Sequence, residues 1–250
     1  LPLQDGFDNA GLQIGLTEVE ATGALLCLDV TEAVLDEAIA LGHNLVISHH
    51  PLIFKGYKSI TGKDYVERCI LKAIKNDIVI YSAHTNLDNA YGGVNYKIAE
   101  KIGLKNLQVL EPKENSLQDD LMQAGAGIVG ELDEPETELE FLKRIKKTFE
   151  VGCVRHNRLT GREIQKVALC GGAGAFLLPQ AIRAGADVFI TGEIKYHDYF
   201  GHEGDILMVE IGHYESEQYT KEIFYSIIRD LFPNFALQSS KINTNPIKYL

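Results

Sequence analysis

Short apolar runs alternate with stretches of helical period along most of the chain. Leu25-Leu26-Cys27-Leu28 runs without a polar break up to Asp29 and Val30, as expected of a strand covered on both faces. Thr31 is placed to cap a helix whose apolar positions are Val34, Leu35, Ala38, Ile39 and Leu41, and Gly42 to end it. Asn44-Leu45-Val46-Ile47-Ser48 then reads as a second buried strand. The pattern returns 143 residues later. Val167-Ala168-Leu169-Cys170 is a strand, Phe176, Leu177, Leu178, Ala181 and Ile182 are helical, Gly185 stops the helix, and Asp187-Val188-Phe189-Ile190-Thr191 is a strand. Leu26/Leu169, Cys27/Cys170, Leu35/Leu178, Ala38/Ala181, Ile39/Ile182, Gly42/Gly185 and Ile47/Ile190 are identical across this offset.

Each copy continues with a further strand. Asp77 to Tyr81 leads to His84, and Ile206 to Val209 leads to His213. An offset of 129 sets His84 on His213 and Asp88 on Glu217. Amphipathic helices follow, through Val94, Ile98 and Ile102 and through Ile223, Ile227, Ile228 and Leu231. Strand–helix–strand alternation predicts an α/β fold of two similar lobes. Each is built of βαβ units with a mainly parallel sheet, and the two flank a central cleft. The expected lobes are 1–110 and 125–250, with a junction at 111–124. Glu111 to Ser116 and Asp133 to Thr137 read as loops. Ala124 to Gly130 reads as a glycine-rich strand, and Leu139 to Phe149 as a helix with acids at its start and Lys146-Lys147 at its end.

Composition narrows the functional classes. The 250 residues carry 24 Lys+Arg against 35 Asp+Glu, a formal charge of −11, which argues against nucleic acid as a partner. No apolar run reaches the roughly 20 residues that span a bilayer. Cys27, Cys69, Cys153 and Cys170 form no C-x-x-C pair and are too sparse for a disulfide framework, so a reducing, cytoplasmic compartment is expected. The chain begins Leu1-Pro2-Leu3, with the start expected to be missing.

Candidate chemistry lies just beyond strand ends. His49-His50 follows the strand ending at Ser48; such a pair can cap a loop, or its two imidazoles can address different ions. His84-x-x-x-Asp88 and His213-x-x-x-Glu217 follow the equivalent strands. Imidazoles with carboxylates suit divalent cations, and carboxylates can bridge two of them. Glu193, His197, Asp198, His202 and Glu203 form a second cluster. Gly192-Glu193 occupies the repeat position of His49-His50, so Glu193, Lys195, Tyr196 and His197 are read as facing substrate or supporting the ligands. His43 and His156 read as surface residues. Gly171-Gly172-Ala173-Gly174 could offer N–H groups to an anion, or simply allow close packing of strand on helix.

Taken together these motifs resemble the Nif-three-like family, whose members are often labelled GTP cyclohydrolase 1 type 2 homologues. The matching stretches are Asp8 to Gly15, Ser48 to Phe54, Ala83 to Asp88, Ile190 to Glu193, Gly212 to Glu217 and Asn243 to Tyr249. The resemblance implies a two-lobed fold and a dinuclear centre with His49, His50, Asp88, His213 and Glu217 as ligands. His84 is placed near the metals and, with Glu193, as a proton carrier. It also implies a homohexamer. Longer members carry a PII-like domain between the lobes, so either this chain belongs to a short branch or, the favoured expectation, residues are missing near 119–123. The function this implies is a hydrolase using two divalent ions (Zn, Fe, Mn or Ni), whose bridging water attacks a purine nucleotide or a related cyclic or phosphorylated small molecule. A metal-binding regulatory or interaction protein without turnover is the competing reading, and metal chaperoning a third.

Overall fold

The computed structural model describes residues 3–113 and 124–250. In chain order the strands and helices are β1 (Gly11–Ile14), β2 (Ala24–Cys27), α1 (Glu32–Leu41), β3 (Leu45–Ser48), α2 (Tyr65–Lys75), β4 (Val79–Ser82), α3 (Thr85–Asp88), α4 (Val94–Ile102) and β5 (Lys105–Pro112). There follow β6 (Gly125–Thr137), α5 (Glu138–Thr148), β7 (Arg155–His156), β8 (Glu163–Cys170), α6 (Leu178–Arg183), β9 (Val188–Thr191), β10 (Leu207–Glu210), α7 (His213–Glu217), α8 (Thr220–Leu231) and β11 (Leu237–Ser239). Short 3-10 turns cover Gly174–Leu177 and Tyr196–Tyr199. Among the described residues, no helix is long and apolar enough to cross a membrane. Cys27, Cys69 and Cys170 are buried and Cys153 is exposed, none of them in a disulfide.

The chain forms two compact units. The first is Leu1–Leu87 with Thr220–Pro246, and the second is Asp88–Tyr219 with Ile247–Leu250. The first holds a five-stranded sheet in the order β1-β4-β3-β2-β11, parallel except for the edge strand β1. Its core gathers Leu25, Val34, Leu35, Val46, Ile70 and Ile80. The second holds a six-stranded sheet in the order β5-β6-β8-β9-β10-β7. Only β8, β9 and β10 are mutually parallel there, since β5, β6 and β7 join antiparallel. Its core includes Val129, Ala168, Leu177, Phe189 and Met208.

The repeat is visible in the strand register. Ala24 to Cys27 pair with Leu45 to Ser48, and Val167 to Cys170 pair with Val188 to Thr191, every position shifted by 143. The third strand is shifted by 128, because Ser48↔Ser82 corresponds to Thr191↔Glu210. Helix α2 of the first copy is replaced in the second by the short turn Tyr196–Tyr199. The expected offset of 129 therefore holds for the histidines and not for the strands. The added residue lies before His213, where Gly212 has φ of 93°.

The units differ from the linear lobes 1–110 and 125–250. Helix α4, from the first copy, packs against β6 and β8 in the second unit, and α8, from the second copy, packs against β2 and β11 in the first. An amphipathic stripe requires a covering surface without specifying which. Asp133 to Thr137, expected as a loop, is the end of β6; its pairing with β8 breaks between Glu131 and Glu136, an irregularity that accommodates Pro135. The expected break at Asp119 to Gln123 lies outside the described residues.

Local signals explain most element ends. Thr31 accepts the Val34 N–H at the start of α1, and Gly42, with φ of 71°, closes it. Thr137 and Glu140 form a capping box on α5. Helix α6 has no side-chain cap hydrogen bond and begins with Pro179 in its first turn.

Candidate metal centre

In the first unit the parallel register aligns the carboxyl ends of β2, β3 and β4, and each is followed by a polar side chain. Asp29 comes after β2, His49-His50 after β3 and His84 after β4. The His49 N–H bonds to the Cys27 and Leu28 carbonyls and the His50 N–H to Leu28. Two buried hydroxyls fix the next peptide: Ser48 Oγ and Ser82 Oγ both donate to the His50 carbonyl, at 2.9 and 3.3 Å. The imidazoles of His49, His50 and His84 meet with ring centroids 4.8 to 5.4 Å apart. Each offers a ligand atom, and the three atoms lie within 4.8 Å of one another.

The orientation of these rings is set from behind. His49 Nδ1 lies 2.9 Å from the Ala83 carbonyl, His50 Nδ1 2.7 Å from Asp29 Oδ1, and His84 Nδ1 2.8 Å from Asp8 Oδ1. A carbonyl or an ionised carboxylate can only accept. Each Nδ1 therefore carries the proton, and in the neutral ring Nε2 presents the lone pair. This is the outer-shell arrangement that holds a metal-binding histidine in one tautomer. The acids are themselves supported. Asp29 Oδ2 accepts from Thr244 Oγ1 at 2.5 Å. Asp8 Oδ2 accepts from the Thr85 N–H at 3.0 Å and from its hydroxyl at 2.6 Å. Burial would raise the Asp8 pKa, but the bonds from Thr85 and His84 outweigh it and the pKa is lowered.

The second unit builds a different set on the same scaffold. Thr191 ends β9, and the Gly172 carbonyl after β8 accepts from Thr191 Oγ1 and from the Glu193 N–H, both at 3.1 Å. Glu193 Oε1 lies 2.7 Å from His213 Nδ1, fixing that tautomer as well. One turn along α7, Glu217 Oε2 lies 3.2 Å from His213 Nε2, so the two could hold one cation between them. Ser216 Oγ accepts from the Gly172 N–H at 3.0 Å and donates to the His213 carbonyl at 2.7 Å. A Cβ on Gly172 would stand 2.4 Å from Glu217 Oε1 and 3.3 Å from His213 Nε2, and its φ is +60°. Close packing is thus what this glycine provides, against the His213 and Glu217 side chains of α7. Asp88, the last residue of α3, has its carbonyl held by Asn95 Nδ2 at 3.0 Å, and Asn95 Oδ1 accepts the Gly171 N–H at 2.9 Å.

Glu193 also lines a cavity of about 580 Å³ with Lys195, His197, His202, Phe176 and Phe200. Tyr196 points elsewhere, into a second cavity of about 590 Å³ with Arg155, Arg158, Tyr199 and Phe200. Lys195 and His197 are therefore grouped with Glu193, and Tyr196 is not. The supporting residues Asp8, Asp29, Thr244, Asn95 and Ser216 were not assigned roles from sequence. The available signal was Asp29 itself, a lone acid at the end of a buried strand.

The family model for Duf34/NIF3 (NGG1p interacting factor 3) matches residues 1–246. The chain belongs to the Duf34/NIF3 family. A Clostridium perfringens protein named GTP cyclohydrolase 1 type 2 homolog is 38% identical over 218 residues, covering 86% of this chain and 80% of its own length. A Staphylococcus aureus protein of the same name is 28% identical over 349 aligned positions, 99 more than this chain has residues, covering 98% of this chain and 95% of its own length. The crystal structure of a Staphylococcus aureus hypothetical protein superposes with a TM-score of 0.91 at 33% identity, covering 100% of this chain and 94% of that one.

Proposed function

We propose that this Duf34/NIF3 chain is a divalent-metal hydrolase acting on a purine nucleotide or a related cyclic or phosphorylated small molecule. In this reading His49 and His50, with Asp88, His213 and Glu217, converge on two ions. The observation that carries it is the pinning of four imidazoles through Nδ1, by one carbonyl and three carboxylates. Nitrogen and carboxylate donors without thiolate suit Zn, Fe, Mn or Ni. Bound there, such ions supply Lewis acidity and a nucleophile at neutral pH. Asp29 holds the proton at His50 Nδ1, and Glu193 holds that at His213 Nδ1. His84, its Nδ1 proton held by Asp8, takes and returns a proton at Nε2 during turnover. Lys195 and His197 meet the anionic part of the substrate in the cavity that Glu193 lines. The names of the curated relatives support the nucleotide class, and the family resemblance supports a homohexamer, which the mass in solution tests.

The deciding experiment is metal analysis followed by turnover assays. Protein stripped of metal and reconstituted with Zn, Mn, Fe or Ni is offered GTP and a panel of cyclic and phosphorylated compounds. About two ions per chain and metal-dependent product formation are expected. Tight binding of two ions without turnover of any substrate would assign the centre to regulation instead. Loss of fewer than one ion on His49→Ala/His213→Ala would overturn the shared centre.

A further inference from the structure

Phe54 ends the His49-His50 segment and is 47% exposed. Its ring stands 5.8 Å from that of His84, the two planes at 78°. The backbone beneath it is held on both sides. The Ile53 N–H donates to Gln13 Oε1 at 3.2 Å, and the Ile53 carbonyl accepts from Asn9 Nδ2 at 2.6 Å. Gln13 Nε2 donates in turn to the Asn9 carbonyl at 2.5 Å. The Asp8 carboxylate beside them holds His84. One short segment, residues 8–13, thus fixes both the imidazole and the chain that carries the phenyl ring.

The metal ligands do not require this arrangement. The phenyl ring is partly open to water, next to an imidazole of the metal set, on a backbone that two amide side chains hold still. A ring on so rigid a support loses little freedom when a flat molecule lies against it. Aromatic faces of this kind recognise nucleobases regardless of their hydrogen-bonding edges. We propose that Phe54 is the stacking face for the planar heteroaromatic ring of the ligand taken by the metal centre, and that Asn9 and Gln13 are the positioning residues that hold it there. The inference rests on the proposed function in taking His84 as part of that centre and a purine nucleotide as its ligand.

The chain contains no Trp, so Phe54→Trp places a single indole at the position in question. The full chain is titrated, metal-loaded and stripped, with GTP, guanosine and tripolyphosphate. Saturable quenching by GTP and guanosine, and none by tripolyphosphate, is expected. Phe232→Trp, another exposed ring position at 61%, should respond to none of them. Phe54→Ala should weaken GTP binding about tenfold, the size of one base-on-aromatic stack, and Phe54→Tyr should restore it. Metal content should stay unchanged in both. Adding Gln13→Ala to Phe54→Trp should shorten the anisotropy decay of the indole and reduce the quenching, which a merely structural role would not do. GTP binding without an indole response, no binding of GTP or guanosine, or a change of oligomeric mass in Phe54→Ala in place of weaker binding would each overturn the inference. Stacking without turnover would leave it standing and remove the hydrolase; turnover without stacking would do the reverse.

Discussion

In the first unit the loop after β2 carries Asp29 and the loop after β3 carries His50; the equivalent places in the second unit hold Gly172 and Glu193. The strands between them keep the same register, residue for residue. An imidazole braced by a carboxylate occurs in both units, but the partners have changed loops. In the first, His50 follows β3 with its acid after β2, while His84 follows β4 with its acid, Asp8, before β1. In the second, the acid follows β9 and the imidazole follows β10. Position 172 is a glycine because Glu217 occupies the space a side chain would need. Buried strands tolerate little change, since their alternating side chains are packed on both faces, whereas the first residues beyond a strand end meet looser constraints. One scaffold has thereby produced an imidazole-rich half and a carboxylate-rich half.

This comparison can be broken first in the core. Leu26 and Leu169 occupy equivalent positions at 0% and 1% exposure. Leu26→Ala and Leu169→Ala should each cost about 2–5 kcal/mol, as buried leucines do, measured by chemical denaturation. Effects differing by more than that spread would show that the two sheets are not packed alike. The next largest contrast concerns the braces. Asp29→Ala should reduce metal affinity about 10- to 100-fold, the usual effect of losing an outer-shell partner. Glu193→Ala should cost less, because at 59% side-chain exposure water can replace it, whereas Asp29 is 35% exposed and also held by Thr244. Competition titration with a chelator reads both, and equal losses would remove the distinction.

Acid sharpens the comparison at a site that only the first copy possesses. Glu67, on α2, accepts from the Thr61 and Lys63 backbone N–H groups at 2.8 and 3.1 Å, and the Thr61 bond leads in lowering its pKa from 4.5 to about 2. Between those values the unfolded chain binds more protons than the folded one. The contribution is present above about pH 4.5 and is lost as pH falls toward 2. Glu67→Gln should therefore lower stability at neutral pH and flatten the acid limb of denaturation midpoints; an unchanged limb would dismiss the clamp. The smallest effect belongs to the helix starts. Thr31→Ala should cost about 1 kcal/mol through loss of the α1 cap, while α6, which lacks a side-chain cap bond, has no equivalent residue to lose.

The central strands and their repeat were legible because cover on both faces leaves short apolar runs. The helices α1 and α5 were legible from Thr31, Gly42 and the acid-to-basic polarity of the later helix. Strands β1, β5, β7 and β11 were not, being edges defined by a partner rather than by their own composition, and Glu111-Pro112, expected as loop, ends β5. The end of β6 was hidden by its acids and Pro135. As candidates, His49, His50, Asp88, His213 and Glu217, with His84 beside them, could be named from repeat position and family resemblance. Their braces could not be derived from spacing, since Asp8 lies 76 residues from His84 and Asp29 lies 21 from His50.

The linear chain settles the central strands and the capped or amphipathic helices, because local periodicity and caps act over a few residues. It also settles that two copies of one strand–helix–strand unit are present. Folding in three dimensions decided that α4 and α8 are exchanged between units, and which acid stands behind which imidazole. Those outcomes depend on which apolar faces and loop ends find each other, and no stretch of sequence encodes its distant partner on its own.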